Sequence, residues 1–203
     1  MDRGDRNRRA LVEAIVALID EGELKPSVAQ IAERAGVSER SVFRHFDDVA
    51  GLHRAAADLQ LERIAPLVVD TPPDGPLAGR IERFTARRAV LLEANSHVRR
   101  AADLREPFYP ELRRILDQAR WALRRQIEVT FAPELDVLED RDRALVAHAL
   151  DLATCWDAWE HLRQYQGVAE DEALAVLRRT VTALLAARPP DPLTSLSLRG
   201  SRG

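Results

Sequence analysis

A chain of 203 residues with 46% hydrophobic and 31% charged side chains is long enough for a sizeable core and too apolar to stay unfolded. Its formal net charge is −3, and the first sixty residues hold nine basic against eleven acidic side chains, which excludes the strongly basic domain by which many nucleic-acid binders are recognised. A single cysteine, Cys155, rules out an intramolecular disulfide and thiolate-pair zinc sites, and no run approaches the roughly 20 apolar residues of a membrane span. With no signal-peptide pattern at MDRGDRNRRA, a cytoplasmic protein without membrane attachment is expected.

In chain order, Arg3, Arg6, Arg8 and Arg9 form a basic N-terminal arm ahead of the first helix. Leu11, Ala14, Ile15, Leu18 and Ile19 then recur at i, i+3, i+4, i+7 and i+8, one apolar face of a helix ending near Asp20. Gly22 and Pro26 mark a turn. Ser27-Val28-Ala29-Gln30 has the form of a capping box that starts a second helix at Val28, with Val28, Ile31, Ala32 and Ala35 inward. Gly36 is placed to take the left-handed conformation that stops it, and Ser38 is expected to cap a third helix from Glu39 to about His45.

Two short helices joined by a tight glycine-containing turn make a helix-turn-helix unit, whose second helix enters the DNA major groove. If Val37, Val42 and Phe46 face the core, Ser38, Arg40, Ser41, Arg44 and His45 point outward. That set has only one acid nearby, Glu39 in the first turn, whereas an ordinary solvated helix mixes signs at i, i+4 spacing. Arg40 and Arg44, one turn apart, suit guanine edges or phosphates. Ser38 and the free N–H groups behind it suit a phosphate.

The stretch VAQIAERAGVSERSVFRHFDDVAGL resembles the DNA-binding domain of TetR-family transcriptional regulators. It carries the I-A-x-x-A-G-V-S core as Ile31 to Ser38, and the family's Y-x-x-F pair as Phe43-Arg44-His45-Phe46. The resemblance implies base or phosphate contacts from Arg40, Ser41 and Arg44 and a phosphate contact from His45. Ser27, Ser38 and Phe43 join them, together with Arg6, Arg8 and Arg9 of the arm. Phe43 replaces the usual tyrosine and Val49 the usual lysine, losses that weaken the salt-sensitive part of binding. A basic arm lying in the minor groove offsets them.

A fourth helix is expected from Val49 to about Val68, then a break at DTPPDGP, residues 70 to 76. Helical patterns resume at roughly 77–95, 96–105, 110–131, 139–165 and 169–187. The resulting fold is all-α: a three-helix DNA-binding domain over residues 6–50, a helical ligand-binding and dimerisation domain over 51–187, and a flexible tail over 188–203. Helix 139–165 is apolar on several sides. Leu145, His148, Leu152, Cys155, Trp156 and Trp159 form one stripe, and Ala144, Ala147, Ala158 and Leu162 another. With Leu174, Leu177, Val181, Leu184 and Leu185 on the last helix, these faces fit either packing within one subunit or a two-fold dimer interface of four helices, and the resemblance favours the dimer.

Polar residues on apolar faces point to a pocket. Arg88 and Asn95 share a face with Ile81, Phe84, Leu91 and Leu92. A buried guanidinium requires compensation, either from Asp151 or from an anionic ligand, and the pair with Asp151 is the reading preferred here. Pocket candidates are therefore Phe84, Arg88, Asn95, Phe108, Tyr109, His148, Asp151, Cys155, Trp156 and Trp159. Trp121, among Arg114, Asp117, Arg124, Arg125 and Glu128, reads as an exposed interface or an arginine stack. His148, Asp151 and His97 could hold a metal but read as structural contacts, so neither metal nor cofactor is expected. Phosphate-binding glycine loops and nucleophile elbows are absent, so no enzyme is expected. Taken together, these residues predict a homodimeric regulator of a double-stranded DNA operator, a repressor released by an unknown small-molecule effector. The competing readings are a ligand-independent interaction protein of the same fold with weak DNA affinity, or a small α-helical enzyme or carrier.

Overall fold

The computed structural model describes residues 3–186, and all regular structure among them is helical. The expected tail, 188–203, lies outside the described residues. Ten α-helices follow in order: α1 Arg3–Asp20, α2 Val28–Arg34, α3 Glu39–His45, α4 Val49–Ile64, α5 Leu77–Asp103, α6 Pro110–Thr130, α7 Ala132–Leu135, α8 Asp140–Thr154, α9 Trp156–Glu160 and α10 Glu170–Ala186. The heptad-like face of α1 is buried as its spacing requires, with Leu11, Ile15 and Val16 fully inside. They meet Ile31, Ala32, Val42, Phe46, Leu52 and Ala56, so α1 to α4 share one core.

Several boundaries differ from the sequence reading, each for a physical reason. The arm is not separate, because α1 begins at Arg3 and carries Arg6, Arg8 and Arg9 on its first turns. Arg8 stacks over the Phe46 ring at 5.0 Å, and Arg9 pairs with Glu13. α4 stops at Ile64, since Pro66 lacks an N–H and forces a short 3₁₀ turn over Ala65–Leu67. α5 runs unbroken through Asn95 and Ser96. Ser96 Oγ donates to the Leu92 carbonyl at 2.8 Å, and Asn95 accepts from Gln60 Nε2 at 3.2 Å, so both polar side chains are satisfied within a continuous helix.

The largest difference lies in the expected helix 139–165. It breaks at Cys155, which is extended (φ −76°, ψ 168°), giving α8 and α9, and α9 passes into a π turn over His161–Tyr165. No proline or glycine causes the break. Arg88 Nη1 donates to the Thr154 carbonyl at 3.3 Å, supplying from another helix a partner for an acceptor freed there. The apolar stripe is split accordingly: Trp159 is buried at 1% exposure, while Leu145 (56%) and Leu152 (73%) remain open.

α5 spans two layers of the molecule. Phe84 and Ile81 pack with Ile127, Phe131, Leu135, Leu150 and Val181, and Ala89 and Leu92 pack with Trp159, Ala173 and Leu177. At its other end Ala101 enters the core of α1 to α4. There His97 Nδ1 bonds the Asp20 carbonyl at 2.6 Å. Just past α5, Arg105 donates to the Leu24 carbonyl and, through Nε, to His53 Nε2 at 3.1 Å.

That last bond fixes His53 as an acceptor and therefore neutral, with its proton on Nδ1. Burial, then the facing Arg105, pushes its pKa down to about 4. An unfolded chain would protonate this ring near 6.5, so the folded state is penalised as pH falls from about 6.5 toward 4, and stability from this group is intact above 6.5. The expected loss is on the order of 3 kcal/mol across that window. It should appear as an acid-side drop in the denaturation midpoint that His53→Gln abolishes.

Candidate nucleic-acid interface and inner cavity

The helix-turn-helix is built from local signals. Ser27 and Gln30 form both bonds of the capping box. Gly36 adopts φ +68°, which an L side chain disfavours. Arg34 clamps Glu21 with two bonds of 2.7 and 2.6 Å, tying α2 to the turn after α1. α3 then begins at Glu39 and ends at His45, followed by the cap residue Phe46, which is buried at 5% exposure.

Its outward face differs in detail from the sequence reading. Arg40, Phe43 and Arg44 are exposed at i, i+3 and i+4, and Phe43 is open at 56%. Ser41 is not outward: it is 9% exposed, its Oγ lying 3.2 Å from Ser38 Oγ and accepting from Arg44 Nη2 at 3.4 Å. Ser38 has cap-like dihedrals but makes no capping bond with its side chain, because its hydroxyl turns to Ser41. Ser27 is spent on Gln30. His45 is half-buried with Nε2 at 3.5 Å from Arg44 Nη2, so Ser41, Arg44 and His45 act as one side-chain cluster. Arg40 and Arg44, flanking an exposed aromatic ring, are the exposed arginines of this helix, with Glu39 exposed in its first turn.

Behind this unit, a cavity of about 460 Å³ opens between α4, α5, α6 and the α8–α9 break. Its walls are mainly aliphatic, including Leu61, Ile64, Leu91, Leu92, Leu112, Ile115 and Leu116. Five of the ten pocket candidates border it: Arg88, Asn95, Asp151, Cys155 and Trp156. The others lie elsewhere. Phe84 and Trp159 are core, since Phe84 meets Phe131 edge-on at 5.2 Å and Trp159 donates Nε1 to Glu93 at 2.8 Å. Phe108 is exposed at 76% in the turn after α5, and Tyr109, half-buried, is the residue just before α6. His148 is exposed and bonded to Arg124 at 2.8 Å. His97 is tied to the end of α1 through the Asp20 carbonyl. The α4 residues Gln60, Leu61 and Ile64 were missed as lining, because α4 has little amphipathic contrast and its inward positions are shared between two environments.

The expected Arg88–Asp151 bond is also corrected. Arg88, 1% exposed, donates to the carbonyls of Thr154 and Leu123 (2.9 Å) and to Gln126 Oε1 at 2.9 Å. Its guanidinium lies 4.9 Å from the Phe84 ring centroid. Asp151 instead sits 4.0 Å from Arg124 and acts on Arg88 only at a distance. Burial pushes Arg88 down to about 10 despite the opposing pull of Asp151 and Cys155. Trp121 is exposed at 66%, beside a surface groove formed with Arg124, Arg125 and Arg143.

Fold and exposed face together define a helix-turn-helix DNA-binding protein with an α-helical C-terminal domain. Residues 9–56 match the family described as bacterial regulatory proteins, tetR family, so the helix-turn-helix segment is similar to that family's N-terminal domain. Two solved structures share the whole-chain fold. A transcriptional regulator from Rhodococcus sp. Rha1 aligns with TM-score 0.68 at 17% identity, covering 93% of this chain and 100% of that one. A TetR-family transcriptional regulator from Streptomyces coelicolor aligns with TM-score 0.67 at 19% identity, covering 98% and 97%. Comparison with curated proteins finds no match. No helix among the described residues is long and apolar enough to cross a membrane.

Proposed function

We propose that the protein is a cytoplasmic, homodimeric transcriptional repressor whose grip on a DNA operator is loosened by a small molecule held in the inner cavity. It acts by binding and not by catalysis. One observation carries this reading: α4 belongs to both sites. Its Leu52 and Ala56 are buried in the core that seats α3, while Ala57, Gln60, Leu61 and Ile64 wall the cavity. A ligand that fits the cavity better in one setting of α4 shifts the separation of the two recognition helices in a dimer. B-DNA demands about 34–36 Å, so a ligand favouring another spacing lowers operator affinity by its differential affinity for the two states. Arg40, Phe43 and Arg44 are the proposed DNA contacts, with Ser41 and His45 positioning Arg44.

The dimer face proposed is α8 with α10, where Leu145, Leu152 and Val176 stay exposed in the single chain. Scattered exposed leucines are ordinary, but two at i, i+7 on one helix beside a third apolar side chain on its packing neighbour suit a four-helix contact. Leu145→Arg with Leu152→Arg should convert the protein from dimer to monomer mass in analytical ultracentrifugation and abolish operator shifts in gels. A variant that stays dimeric would remove this face from the interface, and an operator-binding monomer would remove the spacing mechanism.

A further inference from the structure

The polar groups around the cavity are mostly spent. Arg99 is held by Asp103 and Glu106, and Arg120 by Glu106 and Asp117. Gln60 and Asn95 bond each other, and Asp151 faces Arg124. Among the buried side-chain nitrogens and oxygens of the lining, two are not spent. Arg88 Nε and Trp156 Nε1 are buried N–H groups with no hydrogen-bond partner among the described residues. Both residues stand in the cavity wall. Every acceptor that Arg88 does have is neutral: two carbonyls and an amide oxygen. The cavity therefore combines aliphatic walls with a buried permanent cation that no carboxylate contacts, beside a second unpaired donor. An unmade bond at a buried charged donor is costly, so a ligand that brings it an acceptor is favoured.

We infer that the cavity selects an amphipathic monocarboxylate, its apolar body on Leu61, Leu91, Ile115 and Leu116 and its carboxylate drawn to Arg88 and Trp156. This deepens the reading of the cavity as the effector site and rests on it. A second anionic group is disfavoured, because Asp151 and Asp157 also border the space. The volume, about 460 Å³, falls within the ~300–1,000 Å³ of ordinary small-molecule pockets.

Isothermal titration of the purified full-length protein with octanoate, 1-octanol, 4-phenylbutyrate and 4-phenylbutanol tests it. Each acid should bind about 10- to 100-fold more tightly than its alcohol, the range of one charge-assisted hydrogen bond. Arg88→Met should erase that preference, and Arg88→Lys should retain part of it. Should Arg88→Met fail to fold, Arg88→Lys and Ala119→Trp carry the test. The latter fills the cavity while keeping Arg88 and should abolish octanoate binding. Equal binding of acids and alcohols, a preference indifferent to Arg88, or no binding by either acid would overturn the inference. Gel shifts with the same probes separate the two claims. Alcohols that release the operator as well as acids would leave the effector site standing and sink the carboxylate. An acid that binds through Arg88 without changing operator affinity would do the reverse.

Discussion

Replacing both Arg40 and Arg44 by alanine should cost about 2–6 kcal/mol of operator affinity, from about 30-fold to about 10⁴-fold, while leaving the thermal midpoint almost unchanged. Each arginine that meets a base edge or phosphate contributes about 1–3 kcal/mol. Both side chains are exposed on α3, so neither supports the core, and the fold of α1 to α4 rests on Leu11, Ile15, Ile31 and Leu52. Arg44 touches Ser41 and His45, so its loss also frees those two groups and the pair should not be strictly additive. Lysine at both positions is expected to keep most of the non-specific affinity and lose sequence preference, because a point charge neutralises phosphate but cannot bridge a guanine edge with two parallel bonds. Fluorescence anisotropy on a selected operator and on a scrambled duplex reads both effects. Unchanged operator affinity in the double alanine variant would mean that another face meets DNA.

Phe84→Ala should destabilise the protein by about 3–5 kcal/mol, the range for deleting a buried aromatic ring. Phe84 is 1% exposed, packs edge-on with Phe131 and lies under the Arg88 guanidinium, so three kinds of contact go with it. Against a typical total of about 5–15 kcal/mol, that loss is severe. A midpoint drop on the order of 10 °C is expected by scanning calorimetry. Phe84→Leu should recover much of it by refilling the volume. Phe108→Ala is the contrast: with its ring 76% exposed, it should leave the midpoint within about a degree. Similar losses at both phenylalanines would contradict the core described for α5, α6 and α8.

These two phenylalanines show where sequence reading succeeds and where it stops. Ser27 with Gln30, and Gly36 between two short apolar patterns, specify their structure through bonds to residues three or four away, so the helix-turn-helix is legible almost residue by residue. The face of α3 was legible only in part: the 3–4 spacing marks Arg40 and Arg44, but the inward turn of Ser41 depends on its contact with Ser38. The C-terminal half is harder for a definite reason. Arg88 is visible as a charge on an apolar face, yet its partners are largely backbone carbonyls, and a carbonyl carries no letter in the sequence. Side chains are all the letters can offer, so the sequence reading weighed Asp151 against an anionic ligand and preferred Asp151. The break at Cys155 is hidden likewise, because the partner for the Thr154 carbonyl comes from Arg88, 66 residues away in sequence. Phe84 and Phe108 look alike as letters. Only the packing of α5 against α6 and α10 assigns one to the core and leaves the other in a turn facing solvent.

The central claim is that this chain reads DNA as a two-fold pair of α3 helices. Selection of bound duplexes from a random pool by the purified protein, followed by titration of the winning sequence at several salt concentrations, tests it most directly. The account predicts an enriched inverted repeat with half-site centres one helical turn, about 10 base pairs, apart, and a log affinity that falls linearly with log salt. No enriched sequence, or affinity indifferent to salt, would contradict it.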